Sequence, residues 1–160
     1  MIDKAIDDKI AAFKGYPSDT QFTAEFIVHI LEDLKRESSI EQMVRDFHTK
    51  YNCYMSDRPV HAPWAVQDVR VRLIDEESDE LASAMDDCAS LSDIAKEIAD
   101  VVYVAVGAAV TYGIPFAKVF ELVHASNMTK TGEREDGKIM KGPNYVPPDL
   151  SFLNKENPNV

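Results

Sequence analysis

Apolar residues recur along the chain at steps of three and four, and no stretch shows the strict alternation of half-buried strands. From Thr20 to Arg36, the residues Phe22, Phe26, Ile27, Ile30, Leu31 and Leu34 line one face of a predicted helix. Ser38 and Glu41 have the spacing of a capping box. They open a second helix whose apolar face is Ile40, Met43, Val44, Phe47 and Tyr51. After a loop punctuated by Pro59 and Pro63, a long helix is expected from Ala65 to Asp87, with a break around Ala89 to Ser92. Ser90 or Ser92 can cap the next helix, which runs to Tyr112 and stops at Gly113. Pro115 suits the first turn of another, ending near Ser126. From Asn127 to Val160, Pro143, Pro147, Pro148 and Pro158 with Gly132, Gly137 and Gly142 predict an extended C-terminal arm. The expectation is an all-α fold, a helical bundle of about five helices. Residues 1–37 form an N-terminal helical extension, 38–150 the main domain and 151–160 a tail.

Acidic residues change this picture, because some of them fall on the apolar stripe. At 100° per residue, with Glu76 at 0°, Glu80 falls at about 40° and Glu77 at about 100°, beside Val66, Val69, Leu73 and Ala84. Asp75, Asp79 and Asp86 point the other way with Arg72, and are expected to be solvated. In the next helix Glu97 lies among Val101, Val104 and Ala108, with Asp100 three residues on, and the helix beyond Asp100 is apolar nearly all round. The pairs Glu77/Glu80 and Glu97/Asp100 have the i, i+3 spacing that lets two side chains converge. Two carboxylates about 5 Å apart repel by roughly 3 kcal/mol at an effective dielectric of about 20. Several such pairs would exceed what a domain stable by about 5 to 15 kcal/mol tolerates without compensation. Arg70 and Arg72 are too few to supply it, which points to hard divalent cations bound through oxygen, Mg²⁺ or Mn²⁺.

Composition narrows the partners. The chain has 160 residues, 28 Asp plus Glu against 17 Lys plus Arg, and a formal charge of −11. That length suits one domain with its own core. The charge speaks against a nucleic-acid polymer laid on the surface and against an anionic membrane. Cys53 and Cys88 lack paired metal-ligand spacing and are expected to be free thiols. With no basic, apolar leader at Met1-Ile2-Asp3-Lys4 and no long apolar run, a cytoplasmic, soluble protein is expected.

The segments Glu76-Glu77-x-x-Glu80 and Glu97-x-x-Asp100 resemble the signature of the all-α nucleoside triphosphate pyrophosphohydrolases, the MazG-like group that includes dimeric dUTPases and phosphoribosyl-ATP pyrophosphohydrolase. Val123-His124-x-Ser126-Asn127-Met128-x-Lys130, Asp136-Gly137-Lys138-x-x-Lys141 and Pro147-Pro148-Asp149 look like the tail of small stand-alone members, including dUTPase-like ones. The similarity covers roughly Ile40 to Leu150 and leaves the N-terminal segment without a counterpart. It implies hydrolysis of a nucleoside or deoxynucleoside triphosphate to the monophosphate and pyrophosphate by water attack at the α-phosphorus. Carried over by motif position, Glu77, Glu80, Glu97 and Asp100 would ligate Mg²⁺, with Mn²⁺ as a substitute, and Glu76 would orient or deprotonate the water. Asn127, Lys130, Lys138, Lys141 and Tyr145 would contact the nucleotide from the arm, and a homodimer or homotetramer is implied. Phosphoribosyl-ATP is the alternative substrate, and a helical metal-binding or partner-binding protein without turnover is the alternative class.

Other signals carry less. Gly132-x-x-x-x-Gly137-Lys138 imitates a phosphate loop, but Ile139 stands where Ser or Thr is needed and no strand precedes it. Glu121-x-x-His124 resembles half of a di-iron site whose second half is missing. His48, beside Phe47, could approach a nucleotide, and Trp64 is expected to pack at a helix start.

Overall fold

The computed structural model describes residues 39–154 apart from 133 and 136. The expected helix at Thr20–Arg36, the extension 1–37 and most of the tail lie outside these residues. Among the described residues there are four α-helices: α1 (Ile40–Lys50), α2 (Trp64–Asp86), α3 (Leu91–Tyr112) and α4 (Phe116–Met128). A hairpin of β1 (Arg134–Glu135) and β2 (Lys138–Ile139) and a 3-10 turn at Ser151–Asn154 follow. The fold is all-α, as expected, and the hairpin is an addition to the predicted arm. It pairs Arg134 with Ile139 and Glu135 with Lys138, and Gly137 takes φ 79° at its turn. The same glycine disposes of the phosphate-loop reading.

Capping chemistry sets the helix ends. Ser39, not Ser38, is the N-cap of α1: its hydroxyl accepts from the Gln42 N–H at 3.1 Å, the free donor of the first turn. At α3, Ser90 accepts from the Asp93 N–H at 3.2 Å and donates to its carboxylate at 2.6 Å. At α4, Pro115 leaves the first-turn donors without a local side-chain cap, and the Glu41 carboxylate of α1 accepts from the Ala117 N–H at 3.4 Å. One side chain thus ties the first helix of the set to the last.

The helix α3 sits in the middle, packed most extensively on α2 and next on α1, while α4 touches it lightly. Val106 and Val110 of α3 join Val44 of α1 in a fully buried core, with Tyr103 and Phe116 against it. The predicted apolar face of α1 is only partly used: Val44 and His48 are buried, whereas Ile40, Met43, Phe47 and Tyr51 stay exposed. Trp64 does open α2, but its side chain is 81% exposed rather than packed. No single helix among the described residues is long and apolar enough to cross a membrane.

The end of α3 also locks the α1–α2 loop. Gly113 has φ 64°, and its N–H and that of Ile114 return to the Val110 and Ala109 carbonyls at 3.2 and 2.9 Å. The loop backbone binds the same helix end, Ser56 N–H to the Val110 carbonyl and Val60 N–H to that of Tyr112. A Cβ at residue 113 would collide with the Arg58 backbone. Gly113→Ala therefore meets both a left-handed backbone penalty of about 1–2 kcal/mol and this collision. The expected result is a denaturation midpoint lowered by more than the backbone penalty alone, measured by urea unfolding followed by helical CD.

Candidate metal centre

Three of the four paired acids meet where α2 packs on α3. One carboxylate oxygen from each of Glu77, Glu97 and Asp100 falls within 4.8 Å of the others, and all three residues are partly buried. Glu76 and Glu80 flank them but are exposed, and Asp75, Asp79 and Asp86 lie on the solvated face as expected. Burial raises the Glu77 pKa above its ordinary value, and the charges of Asp100, Glu80 and Glu76 raise it further. Glu80 therefore shares the electrostatic field of the cluster although it is not among the three converging groups.

The cation that balances these acids escaped sequence reasoning. The Lys96 ammonium lies 2.9 Å from Asp100 and 3.0 Å from Glu97. Hydrogen bonds to Asp100 and then Glu97 raise its pKa above the ordinary lysine value. Its signal in the chain is the i, i+4 spacing from Lys96 to Asp100. Since Lys96 is largely exposed, the ammonium can swing away and leave the oxygens to another cation.

A cavity of about 390 Å³ opens from the carboxylates between the helices, lined by Phe47, His48, Arg70, Leu73, Glu77, Asp100, Tyr103, Val104 and Gly107. The two long helices run antiparallel past it: Glu77 meets Asp100, and Arg70 meets Gly107. A Cβ on Gly107 would lie 3.2 Å from Arg70 Nη1 and 3.4 Å from His48 Nε2, so this glycine makes room for both groups. Arg70 Nη1 and His48 Nε2 are 3.4 Å apart. A guanidinium can only donate, so Nε2 is the acceptor and the neutral imidazole carries its proton on Nδ1. His48 is 2% exposed. Burial first, then the Arg70 and Arg45 charges, hold its pKa below the ordinary 6.5; the Tyr54 backbone pulls the other way without reaching hydrogen-bonding geometry.

Of the residues expected on the arm, Lys130, Lys141 and Tyr145 lie together elsewhere, and Asn127 falls in the last turn of α4. Lys141 Nζ stands 4.6 Å over the Tyr145 ring, and the Ser126 and Tyr145 hydroxyls are hydrogen-bonded at 3.2 Å. That hydrogen bond, with the charges of Lys141 and Lys130, lowers the Tyr145 pKa. Asn127 and Lys138 are exposed, and none of the five lines the cavity. His124 is exposed at the far end of α4, away from any second histidine among the groups that could hold a metal.

The family model for phosphoribosyl-ATP pyrophosphohydrolase matches residues 44–127, just over half of the chain, spanning α1 to α4 and both acidic pairs. The chain belongs to this family. It is thereby a member of the MazG-like nucleotide pyrophosphohydrolase superfamily, as the acidic signature implied, and nucleotide pyrophosphohydrolase activity in general follows. No curated protein matches the chain.

The His48–Arg70 pair makes a direct prediction. His48 is expected to titrate below 6.5, and Arg70→Gln, by removing a neighbouring positive charge, is expected to raise that midpoint. Stability follows the same sign: the contribution of neutral His48 is fully present above pH 6.5 and is lost as pH falls through the lowered folded-state value. NMR titration of the His48 ring protons in both proteins checks it; an unchanged midpoint would show that Arg70 does not act on the imidazole.

Proposed function

We propose that this protein hydrolyses a nucleoside or deoxynucleoside triphosphate to the monophosphate and pyrophosphate, with Mg²⁺, or Mn²⁺ in its place, held by Glu77, Glu80, Glu97 and Asp100. The observation that carries the reading is the convergence of Glu77, Glu97 and Asp100 beside a cavity in a chain of the pyrophosphohydrolase family. The donor set fits a hard dication: it is all carboxylate oxygen, and it already holds a cationic group, the Lys96 ammonium. Such an ion supplies charge neutralisation at the phosphoryl oxygens and lowers the pKa of bound water.

Glu76, exposed at the margin of the cluster, takes the proton of the attacking water as its oxygen bonds to the α-phosphorus. The bond from that phosphorus to the bridging oxygen breaks, and pyrophosphate leaves with the electron pair. Lys130, Lys138, Lys141 and Tyr145 from the arm, with Asn127 from the last turn of α4, contribute substrate contacts. Because they lie away from the cavity within one chain, the reading includes a homodimer or homotetramer in which arm and cavity of different copies complete each other. The exposed Ile40, Met43 and Phe47 on one face of α1, together with Val102 of α3, favour such an assembly. Phosphoribosyl-ATP, the substrate in the matching family's description, is the second reading.

Pyrophosphate release from a panel of triphosphates with Mg²⁺ tests the activity, and no release with either metal would sink it. Glu97→Gln is expected to lower turnover by at least about 100-fold while leaving helical CD intact, as loss of a charge-stabilising group at a reacting centre does. Sedimentation of the full chain is expected to give a dimer or tetramer; a monomer at micromolar concentration would remove the shared-site element.

A further inference from the structure

The cavity has two chemically different ends. Its antiparallel walls share one register: Glu77 faces Asp100 at the carboxylate end, and Arg70 faces Gly107 at the other. The same register sets Leu73 level with Val104 between them, and both line the cavity. Seven residues separate Arg70 from Glu77 and Asp100 from Gly107. At 1.5 Å per residue the two ends are about 10.5 Å apart along the helices. That is comparable with the reach from the α-phosphorus of a nucleotide to the far edge of its base. Phe47, Tyr103, Leu73 and Val104 provide apolar and aromatic walls over the interval.

What waits at the far end is a donor with no anionic partner among the described residues. No carboxylate among the described residues lies within salt-bridge distance of Arg70, and its buried Nε has no hydrogen-bond partner. His48 holds one edge of the guanidinium, and Gly107 gives it space at the cost of a helix-weakening glycine. The His48 acceptor is committed to Arg70, which leaves an end that donates and does not accept.

We infer that Arg70, held in place by His48, reads the nucleobase, donating to a carbonyl oxygen at the pyrimidine C4 or purine C6 position, so that oxo-base nucleotides are taken in preference to amino-base ones. The inference rests on the triphosphate reading above, with the phosphates at the carboxylate end. An exocyclic amino group in that position turns donor against donor, and the guanidinium loses its acceptor. It also separates the two candidate substrates, since an adenine nucleotide presents nitrogen rather than oxygen there.

The test uses the full chain with Mg²⁺ and pairs matched in size, dUTP with dCTP and dITP with dATP. The oxo member of each pair is expected to have a kcat/KM at least about tenfold higher, the scale of one well-placed base contact. Arg70→Gln is expected to erase most of that ratio, chiefly by lowering kcat/KM for the oxo member of each pair. Equal use of both members, preference for the amino member, or a uniform loss over all four substrates in Arg70→Gln would overturn the inference. A second measurement covers a variant that does not fold and a chain that cleaves none of the four. Thermal protection of the unmodified protein should be greater with dUMP than with dCMP, and equal protection overturns the inference. Cleavage failing while the monophosphates still discriminate would instead overturn the triphosphate reading and leave the base contact standing.

Discussion

Like charges brought together on partly buried helix faces are the constraint from which the rest of this structure follows. Glu77, Glu97 and Asp100 cannot approach within 4.8 Å without a compensating cation. Lys96 supplies positive charge to Asp100 and Glu97 from the same helix. That solution is soft, because the lysine is a flexible, exposed point charge rather than a rigid fork. It steadies the acids without closing the position. A fold optimised for stability alone would put apolar residues where these carboxylates converge. The cost is carried by the caps and the small central core: Ser39 and Ser90 at helix starts, Gly113 at a helix end, and Val44, Val106 and Val110 between them.

Helical periodicity made most of the scaffold legible. Expected and observed limits of α2, α3 and α4 differ by one or two residues because Pro, Ser and Gly carry the end chemistry locally. The acidic pairs were legible for the same reason, since i, i+3 spacing fixes azimuth whatever the helix packs against. Three features of the scaffold were not legible. Ser39 caps α1, one residue after the position the capping-box spacing marked, because its own backbone is extended and its hydroxyl reaches the Gln42 N–H. The hairpin at 134–139 was hidden in a stretch judged by its Gly and Pro content, although Asp136-Gly137 is a strong hairpin turn signal. The exposure of Trp64 and of the Ile40–Met43–Phe47 face shows the limit of periodicity: it says which residues share a face, not whether the chain itself covers that face.

The far end of the cavity was illegible for a different reason. His48, Arg70 and Gly107 come from three helices, and no spacing within one helix connects them. Each alone looks ordinary: a histidine on a half-apolar face, an arginine near an apolar stripe, a glycine in an apolar run. Arg70 does lie seven residues before Glu77, which returns to nearly the same azimuth, so the stripe holding the acids also points this arginine into the protein. What only the fold supplies is the glycine opposite, and with it the space for a guanidinium beside a buried imidazole.

The separation of the two ends bears on the net charge of −11. A uniformly acidic protein repels a polyanion, yet charge over the whole surface is screened within about 10 Å at ordinary ionic strength, while groups inside a cavity are screened much less. What a nucleotide meets on entry is therefore local. At one end are oxygens whose charge a cation cancels; at the other is a guanidinium without a carboxylate partner among the described residues, beside an imidazole kept neutral by burial and by that same guanidinium. Neutral His48 is essential to this arrangement, because a protonated ring would repel Arg70 and displace it from the cavity wall. The acidic coat and the donor end thus act at different distances: the first is a screened field over the whole surface, and the second acts only on what lies inside the cavity.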